Sequence, residues 1–127
     1  MNRTIFNLSN SEFVAMLAGK PGENMLPGCY KKGAEGVDKM GDALFLIRLA
    51  LDKGWEDKSG QAKAFLKMPK KIMRELLRRD YIGEGRLSCL NAGQDAMEFL
   101  QTCCPDGYWF GYFKTKKGNP CIGVWKD

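Results

Sequence analysis

Lys63, Lys67, Lys70, Lys71, Arg74, Arg78 and Arg79 fall in one short segment that contains a single acid, Glu75. Lys67, Lys70 or Lys71, Arg74 and Arg78 recur at helical spacing, so on a helix they share the face opposite Ile72, Met73 and Leu76. Cations repeated in this way bind anions. An ordinary solvated face mixes signs to gain i, i+4 pairs, whereas this one repels itself unless something anionic lies against it. The plain alternative is a charged face that keeps the protein in solution.

A second group is aromatic. Tyr108, Trp109, Phe110, Tyr112, Phe113 and Trp125 lie close to Lys114, Lys116 and Lys117, a mixture that offers stacking surfaces to single-stranded nucleic acid. In a hairpin Tyr108, Phe110 and Tyr112 take one face and Trp109, Gly111 and Phe113 the other. One set then belongs to the core and the other is open to a partner or a homodimer contact.

Other chemistries find less support. The chain has no histidine, which removes the commonest general base near neutral pH and every Ser-His or Cys-His pair. No phosphate-cradling glycine loop, dinucleotide fingerprint or carboxylate metal loop occurs, so no catalytic residues are expected. The cysteines, Cys29, Cys89, Cys103, Cys104 and Cys121, number five and include no C-x-x-C pair, which suits reduced thiols better than disulfides or zinc. Cys103-Cys104, near a helix end, are the more reactive candidates. No metal and no cofactor is expected.

With 127 residues, 44% apolar and 28% charged and a net charge of +5, the composition is that of a folded domain that needs no disulfide staple. One domain over 1–127 is the expectation. Neither a secretory signal nor a run long enough to span a bilayer is found, so the expected setting is cytoplasmic, with no membrane partner.

The elements that must position these residues follow from punctuation and periodicity. Ser9 and Glu12 have capping-box spacing before a short helix with Phe13, Met16 and Leu17 on one face. Pro21 to Gly41 reads as a long irregular connection. Asp42 is placed to cap an apolar helix, Ala43 to Lys53, with Leu44, Ile47 and Leu51 as its buried stripe and Phe45, Leu46 and Leu49 widening it. Ser59 is placed to cap a helix carrying Ala62, Phe65 and Leu66 inward, and Pro69 opens another with Ile72, Met73, Leu76 and Leu77 on its apolar side. Tyr81-Ile82 and Arg86 to Leu90 read as two strands around Gly83-Glu84-Gly85. A helix from Ala92 to about Cys103, capped by Asn91 and carrying Ala96, Met97, Phe99 and Leu100, precedes a terminal hairpin over 108–125.

The order of capped helix, turn, second helix, tight hairpin and third helix over 59–103 resembles the MarR-type and related winged-helix DNA-binding families. Ala62 and Phe65 stand where those families place the small and large apolar residues of the first helix, and Ile72 and Leu76 at inward positions of the recognition helix. Leu76-Leu77-Arg78-Arg79-Asp80-Tyr81-Ile82 is similar to their exit into the wing, and Leu90-Asn91-Ala92-Gly93 to the start of their next helix. Leu66 and Asp80 occupy positions where the family commonly has glycine. The resemblance implies duplex DNA as partner, Lys70, Lys71 and Arg74 as reading positions, and Arg86 beside a phosphate or in the minor groove.

The expected fold is therefore α+β: a helix-turn-helix core with a short wing, an N-terminal helix and long loop, and a C-terminal aromatic hairpin. The expected function is that of a small regulator binding duplex DNA through Lys67, Lys70, Lys71, Arg74, Arg78 and Arg86, with Trp109, Phe113, Lys114, Lys116, Lys117 and Trp125 as a secondary interface. The rival expectation is a non-enzymatic inhibitor or adaptor, of the kind mobile elements use to block a host machine, that meets an acidic protein surface with the same groups.

Overall fold

The computed structural model describes residues 10–36, 39–58, 60–69, 71–72, 84–114 and 120–127. The fold is α+β. In order the elements are α1 (Asn10–Ala18), β1 (Gly28–Lys32), α2 (Met40–Asp52), α3 (Gln61–Lys67), α4 (Glu84–Thr102), β2 (Tyr108–Lys114) and β3 (Pro120–Lys126). The described residues fall into two compact units. One gathers the chain up to Ala34 and from Gln101 onward; the other runs from Glu35 to Leu100.

The first unit is built on an antiparallel sheet of order β1-β3-β2. The expected terminal hairpin is present, with Trp109 opposite Trp125, Gly111 opposite Gly123 and Phe113 opposite Cys121. On its other edge β3 pairs with β1, where Gly28 faces Val124, Cys29 faces Gly123 and Lys32 faces Cys121 across a bulge between Cys29 and Lys31. The connection read as irregular thus contains a strand. Its sequence, Gly-Cys-Tyr-Lys-Lys, has no apolar alternation, and its extended form depends on a partner more than eighty positions away.

Phe110, Ile122 and Val124 form the buried face of this sheet, and Tyr30 meets Phe110 edge-on with centroids 6.3 Å apart. The Tyr30 hydroxyl donates to the Leu26 carbonyl at 2.8 Å, while the Met25 amide donates to the Cys103 carbonyl at 2.9 Å. Met25 is fully buried. The second bond ties the supposed loop to the residues that follow α4. α1 packs on β1, but its buried residues are Leu17 and Ala18; Met16, expected on the apolar face, is 45% exposed. Gly19, at φ +73°, ends the helix, its amide returning to the Ala15 carbonyl.

In the second unit α2 forms as expected but begins earlier and is rotated. Its buried residues are Met40, Asp42, Ala43, Leu46, Ile47, Leu49 and Ala50, while Leu44 and Leu51 are only half-buried. Asp42 does not cap the helix, because Lys39 holds that position. Its buried carboxylate turns back instead, and Oδ2 accepts the amides of Glu35 at 2.7 Å and Gly36 at 2.8 Å. The amides that Ser59 was expected to cap are taken by Asp57, whose Oδ2 accepts from Ala62 at 2.8 Å and Lys63 at 3.3 Å; Ser59 itself lies outside the described residues. α3 packs on α2 through the buried Ala62, with Phe65 and Leu66 half-buried. It stops at Met68, which is extended before Pro69.

The largest departure is α4. Arg86 to Leu90, expected as the second strand of a wing, is helical, and Asn91, expected as a cap, lies exposed within the helix. Cys89, Gly93, Ala96 and Leu100 are all buried at spacings of four, three and four, a helical stripe that runs through the supposed boundary. Arg-Leu-Ser-Cys-Leu also lacks the β-branched residues that favour a strand. The resemblance of 90–93 to a helix start therefore does not hold. Gly93 permits the packing: a Cβ there would stand 2.8 Å from Ala43 Cβ and 2.9 Å from its Cα.

Candidate functional site

The basic segment is described in part. Lys63 and Lys67 project one turn apart from α3, both exposed, and Lys71 beyond Pro69 is also exposed. Ile72, expected inward, is 50% exposed, so the division into an apolar and a basic face does not hold at this turn. Lys70, Arg74 and Arg78 lie outside the described residues, as do Met73, Leu76, Leu77, Tyr81 and Ile82. Arg86 sits in the first turn of α4 and not in a strand; its side chain is not described.

The aromatic group is described almost completely. Strand alternation and register place Trp109, Gly111, Phe113, Cys121, Gly123 and Trp125 on one face of the sheet, opposite Phe110, Ile122 and Val124. Cys29 and Lys32 join that face from β1 through their pairing with Gly123 and Cys121. Three rows cross the sheet: Trp125 with Trp109, then Cys29 with Gly123 and Gly111, then Lys32 with Cys121 and Phe113.

The central glycine row lets the rings lie down. A Cβ on Gly111 would stand 3.0 Å from Cζ3 of Trp109, and one on Gly123 would stand 3.0 Å from Cζ2 of Trp125 and collide with the Gly28 carbonyl oxygen. Each indole therefore covers a glycine. Trp125 is also pinned by its indole Nε1–H, which donates to the Gly111 carbonyl at 3.0 Å. Phe113 lies at 4.9 Å and 31° from Trp125 and at 6.4 Å and 55° from Trp109. It remains 45% exposed, with both tryptophans half-buried and Lys114 exposed beside it. Lys116 and Lys117 lie outside the described residues.

Period-two alternation of Trp109, Gly111 and Phe113 was visible in the sequence. What it missed is Lys32, together with the glycine floor. The matching alternation of Cys121, Gly123 and Trp125 is the signal that could have located that floor.

Cys29, Cys89 and Cys104 are poorly suited to nucleophilic chemistry. Burial raises Cys89 to about 11, and burial with the neighbouring Cys103 raises Cys104 to about 11. Burial and a hydrogen bond with Cys121 raise Cys29 to about 12. Thiols held protonated attack slowly, which corrects the expectation of a reactive Cys104. Among the described residues no three Cys, Asp or Glu side chains come together as a metal site, and no helix is long and apolar enough to cross a membrane.

The chain matches no protein-family model, no curated protein and no solved structure.

Proposed function

We propose that this chain is a small, non-enzymatic nucleic-acid-binding protein whose basic segment holds the phosphate backbone. The observation that carries the reading is the run of exposed lysines Lys63, Lys67 and Lys71 within a stretch, 60–74, that contains Lys70 and Arg74 and no acid. Like charges one turn apart on a seven-residue helix work against that helix in isolation. An anionic polymer relieves the repulsion and gains counterion release. Because 84–90 is helical, no winged clamp is invoked. The reading rests on phosphate contacts, with duplex DNA the first ligand to test.

Binding of labelled oligonucleotides is to be measured by anisotropy across a salt series. If about four phosphates are neutralised, log affinity should fall against log salt with a slope of roughly −3 to −4. Lys63→Glu/Lys67→Glu should weaken binding across sequences and flatten that slope by about 2. Absence of oligonucleotide binding at low salt, with a protein partner that survives nuclease and needs the same two lysines, would establish the inhibitor or adaptor in its place.

A further inference from the structure

We infer that the aromatic face of the sheet is a stacking platform for the bases of single-stranded nucleic acid, an inference that rests on the nucleic-acid reading and names a second surface for it. The three strands carry four lysines, Lys31, Lys32, Lys114 and Lys126, and no acid. By register Lys32 belongs to the aromatic face and Lys31, Lys114 and Lys126 to the alternate positions, and the strands offer a second copy of this chain no carboxylate to meet Lys32.

The rings are arranged for a planar ligand. Trp109 and Trp125 lie over glycines, Trp125 is held by its bond to the Gly111 carbonyl, and Phe113 is tilted by 31° against Trp125 with almost half of its surface in water. A pinned aromatic ring loses little freedom when a base stacks on it. Lys32 stands in the same row and on the same face as Phe113, and Lys114 follows Phe113 in the chain. A base seated on Phe113 therefore has Lys32 on its own face for a flanking phosphate, while Lys114, the next residue of the strand, belongs to the alternate positions. A duplex keeps its base faces stacked on one another, so only an unpaired strand presents what this surface takes.

The test is equilibrium binding of the full chain to a single-stranded oligothymidylate of about twelve nucleotides, within the range one stacking module spans, and to a duplex of equal length. Anisotropy and tryptophan quenching are the readouts. Phe113→Ala should weaken the single strand by about 5- to 100-fold, Phe113→Trp should retain it, and neither should change duplex affinity by more than about twofold. Circular dichroism and the unfolding midpoint show whether each variant stays folded. Three results overturn the inference while leaving the proposed function standing: equal loss for duplex and single strand, single-strand affinity unchanged in Phe113→Ala, or duplex binding with no single-strand binding. Self-association in sedimentation that Phe113→Ala abolishes overturns it as well, by giving the face to a second copy. Failure of both nucleic acids to bind removes the proposed function itself.

Discussion

Trp125 donates its indole N–H to the carbonyl of Gly111 across the hairpin at 3.0 Å, and the same ring covers Gly123, the residue that pairs with Gly111. One side chain thus fixes the aromatic face. Trp125→Phe keeps a ring but loses the bond, and a cost of about 1 kcal/mol is expected in urea unfolding. Gly123→Ala is more severe, because the new methyl meets the Gly28 backbone, which cannot swing aside as a side chain can. Loss of about 3 kcal/mol or more is expected, with β1 the strand displaced.

Gly93→Ala sets two effects of opposite sign against each other. Alanine favours the helix by about 1 kcal/mol, but its methyl would meet Ala43 Cβ at 2.8 Å and Cα at 2.9 Å. Overpacking of this kind costs about 1–3 kcal/mol, so net destabilisation of up to about 2 kcal/mol is expected. Gly93→Ala/Ala43→Gly should recover only part of it, since the new methyl still presses on the α2 backbone. Full recovery in urea unfolding would show that the backbones of α2 and α4 do not approach so closely.

Asp42→Ala leaves the buried ends of two amides, those of Glu35 and Gly36, without the carboxylate that now accepts them. A loss of about 2–4 kcal/mol is expected from two charge-assisted bonds. Asp42→Asn keeps one acceptor oxygen and should lose about half as much. Equal losses for both variants would show that the negative charge, and not the acceptor, holds the turn.

Alkali should unfold the protein in part through its buried thiols. Cys89 titrates near 11 when folded because burial penalises the thiolate, against an ordinary value of 9.0. The folded form therefore binds this proton more tightly than the unfolded form. Its contribution is complete below pH 9.0 and is lost as pH rises toward about 11. Unfolding midpoints measured across that window should fall more steeply for the wild type than for Cys89→Ala.

Several features were legible from local patterns. The α+β class, the terminal hairpin and the shared face of Trp109, Gly111 and Phe113 follow from alternation and from turn residues, and these depend on neighbours a few positions apart. The apolar helix after Gly41 was legible too, although its inward face was misjudged by part of a turn.

The remainder was settled by partners distant in the chain. Gly28–Lys32 is a strand because β3 lies beside it, and no alternation announces this. Residues 84–90 look like a turn and strand when read alone, yet they extend a helix whose stripe of Cys89, Gly93, Ala96 and Leu100 is buried. Asp42, read as a cap, bonds the amides of Glu35 and Gly36 instead, and Asp57 takes the amides that the sequence assigned to Ser59. Local residue types by themselves determined that the protein has helices, a hairpin, a basic segment and a cluster of rings. Only the tertiary structure decided that β1 brings Lys32 to the aromatic face, because sheet pairing is a long-range choice made by packing and not by the pairing strand's own sequence.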